Sequence, residues 1–161
     1  MRSTFTRHKI GLGILALSAV ACVSAAIAQG TPADQKAIEA RQQLFKDIDK
    51  SFKPVGEMLK RKMPYDAALV EKSAGELDVL AKKIPDAFSL DTHKATNIKT
   101  KARENIWSGM GDFKMKSDEL VKAAAGLAAA AKSGDEKAFR PAAVAVGKAC
   151  SGCHDNYKDS E

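Results

Sequence analysis

Four stretches of the chain repeat one spacing of apolar side chains, and this spacing constrains the fold more than any other feature. Within residues 31–62 the inward positions alternate between intervals of three and four, and the positions between them are mostly Lys, Glu, Asp and Gln. That period is typical of a helix with one buried face. The four inward sets are Ile38, Arg41, Phe45, Ile48, Phe52, Val55 and Leu59; Leu69, Ser73, Leu77, Leu80 and Ile84; Ile106, Met110, Phe113, Ser117, Leu120, Ala124, Leu127 and Ala131; and Phe139, Ala143, Val146, Cys150, Cys153 and Tyr157. The sequence therefore predicts an all-α fold, an antiparallel up-down four-helix bundle.

Residues that cap or break helices set the expected ends of these segments. Asp66 is a predicted N-cap of the second helix, and Pro85 is predicted to end it. Residues 85–100 show no clean period and are expected to form a long connection. Gly134 and Asp135 are expected to close the third helix and to cap the fourth. The sequence has no sustained period-two run and no Asn-Gly or Asp-Gly pair, so nothing predicts a β-hairpin.

The fourth segment contains Cys150-Ser151-Gly152-Cys153-His154, a C-x-x-C-H motif. Two thiols with this spacing attach covalently to the vinyl groups of haem, and the adjacent imidazole is an axial ligand of the iron. On a helix, Cys150, Cys153 and His154 stand at i, i+3 and i+4 and share one face. A thiol redox pair would be expected in a βαβ context, and a structural zinc site would need two further ligands. The motif therefore predicts one covalently bound haem c, with His154 as the iron ligand.

The N-terminal segment 1–28 has the pattern of a cleaved secretory signal peptide. Three basic residues precede an apolar stretch over 10–23, and an A-x-A site ends at Ala28. Cleavage before Gln29 would release a single bundle domain, residues 29–161, into the periplasm. The apolar stretch is short for a membrane-spanning helix, which needs about 20 residues. We therefore expect no membrane span in the mature form, and a retained anchor is the less favoured alternative.

Charge and cysteine content both change when segment 1–28 is removed. The whole chain has a formal net charge of +6, but 1–28 holds three basic residues and no acidic one, which leaves +3 on the remainder. This balance does not indicate a nucleic-acid-binding surface, and no nucleic-acid partner is expected. Cys150 and Cys153 are the cysteines that remain, so haem attachment leaves none for a disulfide.

The topology of such a bundle ranks the residues that surround the iron. The end of the fourth helix lies beside the starts of the first and third helices, so the haem is expected near 38–45 and 106–110. Phe45 is expected to face the iron from the side opposite His154. Phenylalanine cannot ligate a metal, so it would leave the sixth coordination position open and sterically guarded. Met110 is the inward-facing methionine at this level, whereas Met58 is expected at the far end of the bundle.

Polar side chains at the same level are candidates for the haem propionates. Arg41 occupies an inward position, where an unpaired guanidinium is costly. A propionate would be a bidentate partner, or the stem of Arg41 packs while its head reaches solvent. Gln42 is a second candidate donor to the propionate, and Lys158 either balances propionate charge or stays in water. Trp107 is expected to be a packing anchor near the haem edge, and His93 an exposed loop residue.

Taken together, these residues resemble the class II c-type cytochromes, and cytochrome c' in particular. The resemblance covers essentially all of 29–161. It is carried by Arg41-Gln42 with Phe45, Pro64-Tyr65-Asp66-Ala67-Ala68, Ile106-Trp107, and Cys150 to His154 followed by Tyr157-Lys158. The family often has Arg at the position of Lys158, a mild departure. The resemblance implies an exported bacterial four-helix bundle with haem attached near the C-terminus.

The resemblance also bears on the iron, because the family divides at the position of Phe45. Low-spin members have a methionine ligand there, and high-spin members have an apolar residue and five-coordinate iron. Phe45 thus implies a high-spin protein that binds the diatomic gases NO and CO and exchanges electrons with redox partner proteins. It also implies a possible homodimer formed through the first and second helices.

Three other functions remain as alternatives. A low-spin electron carrier would use Met110 as its sixth ligand and would not bind carbon monoxide without losing that ligand. A haem enzyme such as a peroxidase would need a distal acid or base. Phe45 supplies neither, so no enzymatic activity is expected. A haemless helical interaction module would show no haem absorbance.

Overall fold

A computed structural model describes residues 29–160; the predicted export signal, residues 1–28, lies outside this part. The helices are α1 (Pro32–Leu59), α2 (Ala67–Ala81), α3 (Ile84–Ala87), α4 (Asn105–Ser108), α5 (Met110–Lys132) and α6 (Glu136–Tyr157). The four long helices α1, α2, α5 and α6 form the bundle, and residues 29–160 contain no β-strand beyond one isolated bridge. The predicted all-α, four-helix architecture is confirmed.

Helices that follow one another along the chain also pack against one another. α2 packs against α1 and α5, and α5 packs against α6, whereas α1 and α6 meet at few points. The largest fully buried side chains are Phe113, Phe139, Ile38, Leu77, Ile106, Leu127, Val55, Val70 and Val146. Burial of one such side chain stabilises the fold by about 1.5–3 kcal/mol. The outer helices α1 and α6 are thus held mainly through the inner pair.

The inward face of α2 differs from the predicted one. Ser73 and Leu77 are buried as expected, but Leu69 and Leu80 are only half-buried, and Ala81 is fully buried. The cause is the position of α2 between two neighbours, α1 and α5, which approach it closely. Small side chains suit such a close approach, so the buried face moves away from the larger leucines.

The capping residues at one end of the bundle are those expected from the sequence. The carboxylate of Asp66 accepts from Leu69 N at 3.0 Å, and that of Asp135 accepts from Lys137 N at 2.8 Å. Gly134, between α5 and α6, has φ +67°, in the left-handed region that glycine adopts without strain. Both predicted caps and the predicted turn are confirmed.

The end of α2 lies earlier than predicted. The helix ends at Ala81 rather than at Ile84, and Pro85 belongs to the separate short helix α3. Proline has no N–H, so residue 85 cannot donate to the carbonyl four residues before it, that of Ala81. Ser117 Oγ of α5 donates to Ala81 O instead, at 3.1 Å. A contact between helices therefore replaces the bond that proline removes.

The third predicted segment is divided into α4 and α5 at Gly109. Ile106 is buried on α4, and Met110 begins α5. Gly109 makes a close approach, because a Cβ there would lie 3.1 Å from Asn105 O. The apolar face continues across the break, which explains why the periodicity alone predicted one helix.

The start of α1 is tied to the long connection between α2 and α5. Thr31 and Asp34 form a capping box, in which Asp34 N donates to Thr31 Oγ1 at 3.2 Å and Thr31 N donates to Asp34 Oδ2 at 2.7 Å. Gly30 N donates to Asn97 Oδ1 at 2.6 Å. A Cβ on Gly30 would lie 2.9 Å from Ala95 Cβ and 2.5 Å from Ile98 Cδ1, so a larger residue would displace this part of the connection. The first described residues are thus fixed to the connection.

Two of the four long helices, α1 and α6, contain a proline in their interior. α1 continues beyond Pro54, and α6 continues beyond Pro141. Each proline removes one backbone hydrogen bond.

Among the helices of residues 29–160, none combines the length and the apolar character needed to cross a membrane.

Candidate haem site

The C-x-x-C-H motif lies on the last two turns of α6. Cys150 and Cys153 are half-buried and pack against the core, whereas the neighbouring His154 is exposed. Burial raises the pKa of the Cys153 thiol to about 11, and burial also raises the pKa of Cys150. Before haem attachment both thiols are therefore protonated at neutral pH. Cys150, Cys153 and His154 thus stand at i, i+3 and i+4 of one helix, the spacing that brings three side chains near one another.

The charges around His154 favour its neutral form. Partial desolvation by the surrounding protein lowers the pKa of the His154 imidazole, and the positive charge of Lys158 lowers it further, against the opposing charge of Asp155. Neutral imidazole is the form that binds a metal. Lys158 itself is exposed, and its backbone forms the isolated bridge with Ala102.

The zinc alternative finds no support in the described residues. No group of three or more His, Cys, Asp or Glu side chains in residues 29–160 is placed to hold a metal ion. A structural zinc site would need four such ligands. The thiols of Cys150 and Cys153 therefore lack the partners that zinc would require.

Arg41 is buried more completely than either sequence interpretation implies. It is 3% exposed, and its Nε and Nη2 donate to Ala87 O and Leu90 O, each at 2.6 Å. Its Nη1 donates to Thr92 Oγ1, also at 2.6 Å. The guanidinium lies over the Phe88 ring, 4.7 Å from the centroid. The interpretation that the head of Arg41 reaches solvent is wrong, because the connection after α2 folds over it.

The electrostatic surroundings of Arg41 suit an anion. Burial lowers the pKa of Arg41, and the more distant charges of Asp91 and Asp34 oppose this effect. Among residues 29–160 no carboxylate lies within ion-pair distance of its guanidinium. Three of its five N–H groups donate to the connection, which leaves two N–H groups for a further acceptor.

Gln42 and Phe45 follow Arg41 on α1. Gln42 is exposed, and its Nε2 donates to Lys99 O at 3.1 Å. Phe45 is half-buried and meets the Phe88 ring edge-on, with centroids 6.2 Å apart. The structure thus brings Arg41, Gln42 and Phe45 together with the connection between α2 and α5.

Trp107 and His93 lie where the sequence suggests. Trp107 is half-buried, and its Nε1 donates to Phe88 O at 2.9 Å, so it anchors the packing as predicted. His93 is on the exposed side of the connection, with its Nδ1 2.7 Å from Asp91 Oδ1.

The methionines are distributed as the topology requires. Met58 is buried and lines a cavity with Tyr65 and Phe139, at the end of the bundle remote from His154. Met110 is half-buried at the start of α5 and packs against the core. Met115 is exposed.

The contacts of Phe88 and the partner of Tyr157 carried no signal in the sequence. Phe88 contacts Phe45, Trp107 and Phe113, although it lies in a segment without a clean period. Tyr157 Oη donates to Asp112 Oδ2 at 2.5 Å, and burial together with this bond raises the pKa of Tyr157 to about 12. These partners lie far apart in sequence, so no local pattern could have paired them.

The residues present fit a covalently attached haem. Two half-buried thiols and the neighbouring imidazole lie on the last two turns of α6, and a buried guanidinium without an ion-pair partner in residues 29–160 lies at the same end of the bundle. A c-type haem brings two vinyl groups, an iron and two propionates, which these groups match in kind. A four-helix bundle with this motif near the end of its last helix defines a class II c-type cytochrome.

Comparison with known proteins specifies the class further. The family model for Cytochrome C' matches residues 36–158. Cytochrome c' from Rubrivivax gelatinosus is 35% identical over 123 residues, which are 76% of this chain and 94% of the relative. The chain belongs to the cytochrome c' family and is a monohaem c-type cytochrome with covalently bound haem c.

Solved structures agree with this membership. The structure of cytochrome c' from Shewanella frigidimarina matches with a TM-score of 0.71 and 36% identity, over 81% of this chain and 100% of that one. A nitric oxide complex of a variant cytochrome c' from Alcaligenes xylosoxidans matches with a TM-score of 0.70 and 30% identity, over 80% and 97%. Cytochrome c' proteins of this fold therefore include one that binds nitric oxide.

Proposed function

We propose that this protein is an exported, periplasmic cytochrome with five-coordinate iron that binds NO or CO on the face opposite His154 and exchanges electrons with redox partner proteins. The nitric oxide complex of a related cytochrome c' supports the gas-binding part of this proposal. The main support for five-coordinate iron is the type of residue that α1 places at the haem end of the bundle. Phe45 stands there, and its ring offers no ligand atom.

The remaining candidate ligands in residues 29–160 are poorly placed. His93 is on the exposed side of the connection and is bonded to Asp91. Met58 and Met63 lie at the remote end, and Met115 is exposed. Met110 is at the right level but packs against the core at the start of α5. These positions support an open sixth coordination site.

The haem supplies an iron that binds diatomic gases and changes oxidation state. His154 would bind this iron, and partial desolvation together with the charge of Lys158 lowers the pKa of its imidazole, which favours the neutral form that ligates a metal. Arg41 and Gln42 offer donors to a propionate at the start of α1, and Lys158 adds positive charge near the other end of the motif. Phe45 restricts the space opposite His154 and excludes bulky ligands. It supplies no acid or base, so we infer no enzymatic activity.

The proposed coordination is tested by absorption spectra of the ferric, ferrous and carbon monoxide forms. We expect high-spin spectra and a carbon monoxide adduct that forms without loss of a protein ligand. A sulfur-to-iron charge-transfer band in the ferric form would contradict the proposal. If Met110→Leu then abolished that band, the low-spin alternative with Met110 as ligand would be correct.

Phe45→Met tests the position of the open face. We expect this variant to shift toward low spin and to lose affinity for carbon monoxide, because its sulfur would reach the iron. Phe52→Met is the matched control: Phe52 is also half-buried on α1 but lies seven residues further, about 10 Å along the helix. Low spin in both variants, or in neither, would contradict the placement of Phe45.

Export to the periplasm and formation of a homodimer are tested by separate experiments. N-terminal sequencing of the purified holoprotein should find Gln29 first, and a retained segment 1–28 would contradict cleavage after Ala28. For the homodimer through α1 and α2, sedimentation equilibrium should give a mass twice that of one haem-bearing chain. A single-chain mass would show a monomer.

A further inference from the structure

The last turn of α6 carries His154 and ends at Tyr157. The final four carbonyls of an α-helix have no partner within the helix, and helix ends fray. The orientation of an imidazole on that turn therefore depends on what binds those carbonyls.

Most of these carbonyls are bound by one short segment, residues 103–105. The carbonyl of Tyr157 accepts from Arg103 N at 3.1 Å. Those of Asp155 and Asn156 accept from Arg103 Nη1 at 3.0 and 3.2 Å, and that of Asn156 also accepts from Asn105 Nδ2 at 3.1 Å. The donors are 50 or more positions away in sequence.

The guanidinium of Arg103 is itself held in place. Its Nε donates to Asp159 Oδ1 at 2.9 Å, just beyond the end of α6. This ion pair is partly exposed and adds little stability by itself. Its effect is to orient the guanidinium, so that Nη1 meets the two carbonyls. A positive charge at a helix C-terminus is also electrostatically favourable.

We propose that Arg103 is a positioning residue for the iron ligand: its guanidinium fixes the last turn of α6, and with it the orientation of His154 and the electrostatic potential at the iron. This inference rests on iron ligation by His154, and one of its two readouts also rests on the proposed five-coordinate state. Arg103 does not touch the reacting atoms and acts through the helix end.

Three variants of the haem-bearing protein test this role. Arg103→Met removes the charge and all side-chain donors at similar length. Arg103→Lys keeps the charge but loses the planar fork that reaches both carbonyls. Arg140→Met is the matched control, because Arg140 Nη2 donates to Leu59 O, the last carbonyl of α1, at 3.1 Å at the opposite end of the bundle.

Two readouts report on the iron rather than on general stability. The first is the iron–imidazole stretching band in the resonance Raman spectrum of the ferrous protein. It should broaden and move to lower frequency in Arg103→Met, because His154 adopts more orientations. The second is the reduction potential, which should fall in Arg103→Met because a positive charge is lost beside an unpaired Asp159. Arg103→Lys should keep the broad band with a potential closer to wild type, and Arg140→Met should change neither.

A wild-type band and a wild-type potential in Arg103→Met would overturn the inference, even if its melting temperature fell. Equal changes in Arg103→Met and Arg140→Met would also overturn it, because they would show a general loss of stability. If the ferrous wild type shows no iron–imidazole band because the iron is six-coordinate, the proposed five-coordinate state fails. The reduction potentials then decide the role of Arg103 by themselves.

Discussion

At the end of the bundle remote from His154, two short links, residues 60–66 and 133–135, join α1 to α2 and α5 to α6. At the opposite end, the proposed haem end, one long connection, residues 82–109, joins α2 to α5. The remote end is closed mainly by local chemistry: Asp66 and Asp135 cap their helices, and Gly134 makes the turn. The haem end is closed by side chains from distant segments, above all Arg41 and Arg103.

The two ends are closed differently because the helices that meet there are joined by short links at one end and by a long connection at the other. Two helices joined by a short link satisfy their terminal backbone groups with neighbouring residues. The helices α1 and α6 meet at few points, and at the haem end the connection binds both of them. Buried polar side chains such as Arg41 and Thr92 are retained there with partners. If the two ends separate function from stability, variants at the remote end should change the stability and leave the iron unaffected.

The largest effect is expected from the double variant Cys150→Ser/Cys153→Ser, which removes both thiols that attach the haem. No haem should remain with the polypeptide after denaturation and extraction with acidified organic solvent. Ser151→Ala, an exposed residue between the two thiols, is the control and should retain covalent haem fully. Covalent haem in the double variant would show that attachment does not depend on this motif.

Phe139→Ala tests the remote end by removing a large side chain that is 1% exposed. It should lower the free energy of unfolding by about 3–5 kcal/mol, because the cavity left behind does not collapse fully. Denaturant titration gives this value, and the ferric spectrum should not change. Phe113→Ala, equally well buried at the haem end, should cost a similar amount and alter the spectrum. A spectral change in Phe139→Ala would break the separation of the two ends.

Arg41→Met should lower the free energy of unfolding by about 3 kcal/mol, since three acceptors on the connection lose their donor and each unsatisfied buried group costs about 1–3 kcal/mol. Thr92→Val removes only one of these bonds and should cost about 1 kcal/mol. Urea unfolding monitored by circular dichroism measures both. Equal costs in the two variants would show that the carbonyls of Ala87 and Leu90 do not depend on Arg41.

Removal of the two tyrosine hydroxyls should change the free energy of unfolding in opposite directions. Tyr157→Phe, at the haem end, should destabilise by about 1 kcal/mol because the bond to Asp112 is lost. The hydroxyl of Tyr65, at the remote end, is buried without a hydrogen-bond partner in residues 29–160. Tyr65→Phe should therefore stabilise by about 1 kcal/mol. Thermal unfolding of both variants measures these changes. A loss of stability in Tyr65→Phe would show that the Tyr65 hydroxyl has a hydrogen-bond partner.

The smallest expected effect is on the pH dependence of folding stability. Hydrogen bonds with Thr31, chiefly the one from its backbone N–H, lower the pKa of Asp34 below its ordinary value of 3.8. The charged form thus favours the folded state. Its stabilising effect is present above pH 3.8 and is lost as the pH falls through the lower folded value. Asp34→Asn should therefore reduce the steepness of acid unfolding slightly, as measured by circular dichroism. A wild-type acid profile in Asp34→Asn would contradict this.

Most of the fold could be predicted from the sequence, because the relevant signals are local. The 3–4 spacing gave the four long helices, and Asp66, Gly134 and Asp135 gave the ends of three of them. The C-x-x-C-H motif gave the haem class because its three functional groups lie within five residues. The same local view placed the end of α2 too late. It could not show that Ser117 of another helix binds the Ala81 carbonyl.

The sequence by itself therefore determined the helical period, the caps at the remote end and the chemistry of Cys150, Cys153 and His154. The tertiary structure alone decided the partners of Arg41 and Arg103, which lie 51 and 52 positions from Thr92 and Asp155. The physical reason is the range of the interactions. Helical periodicity and capping connect neighbouring residues, whereas a buried guanidinium binds whichever carbonyls the packed helices bring to it.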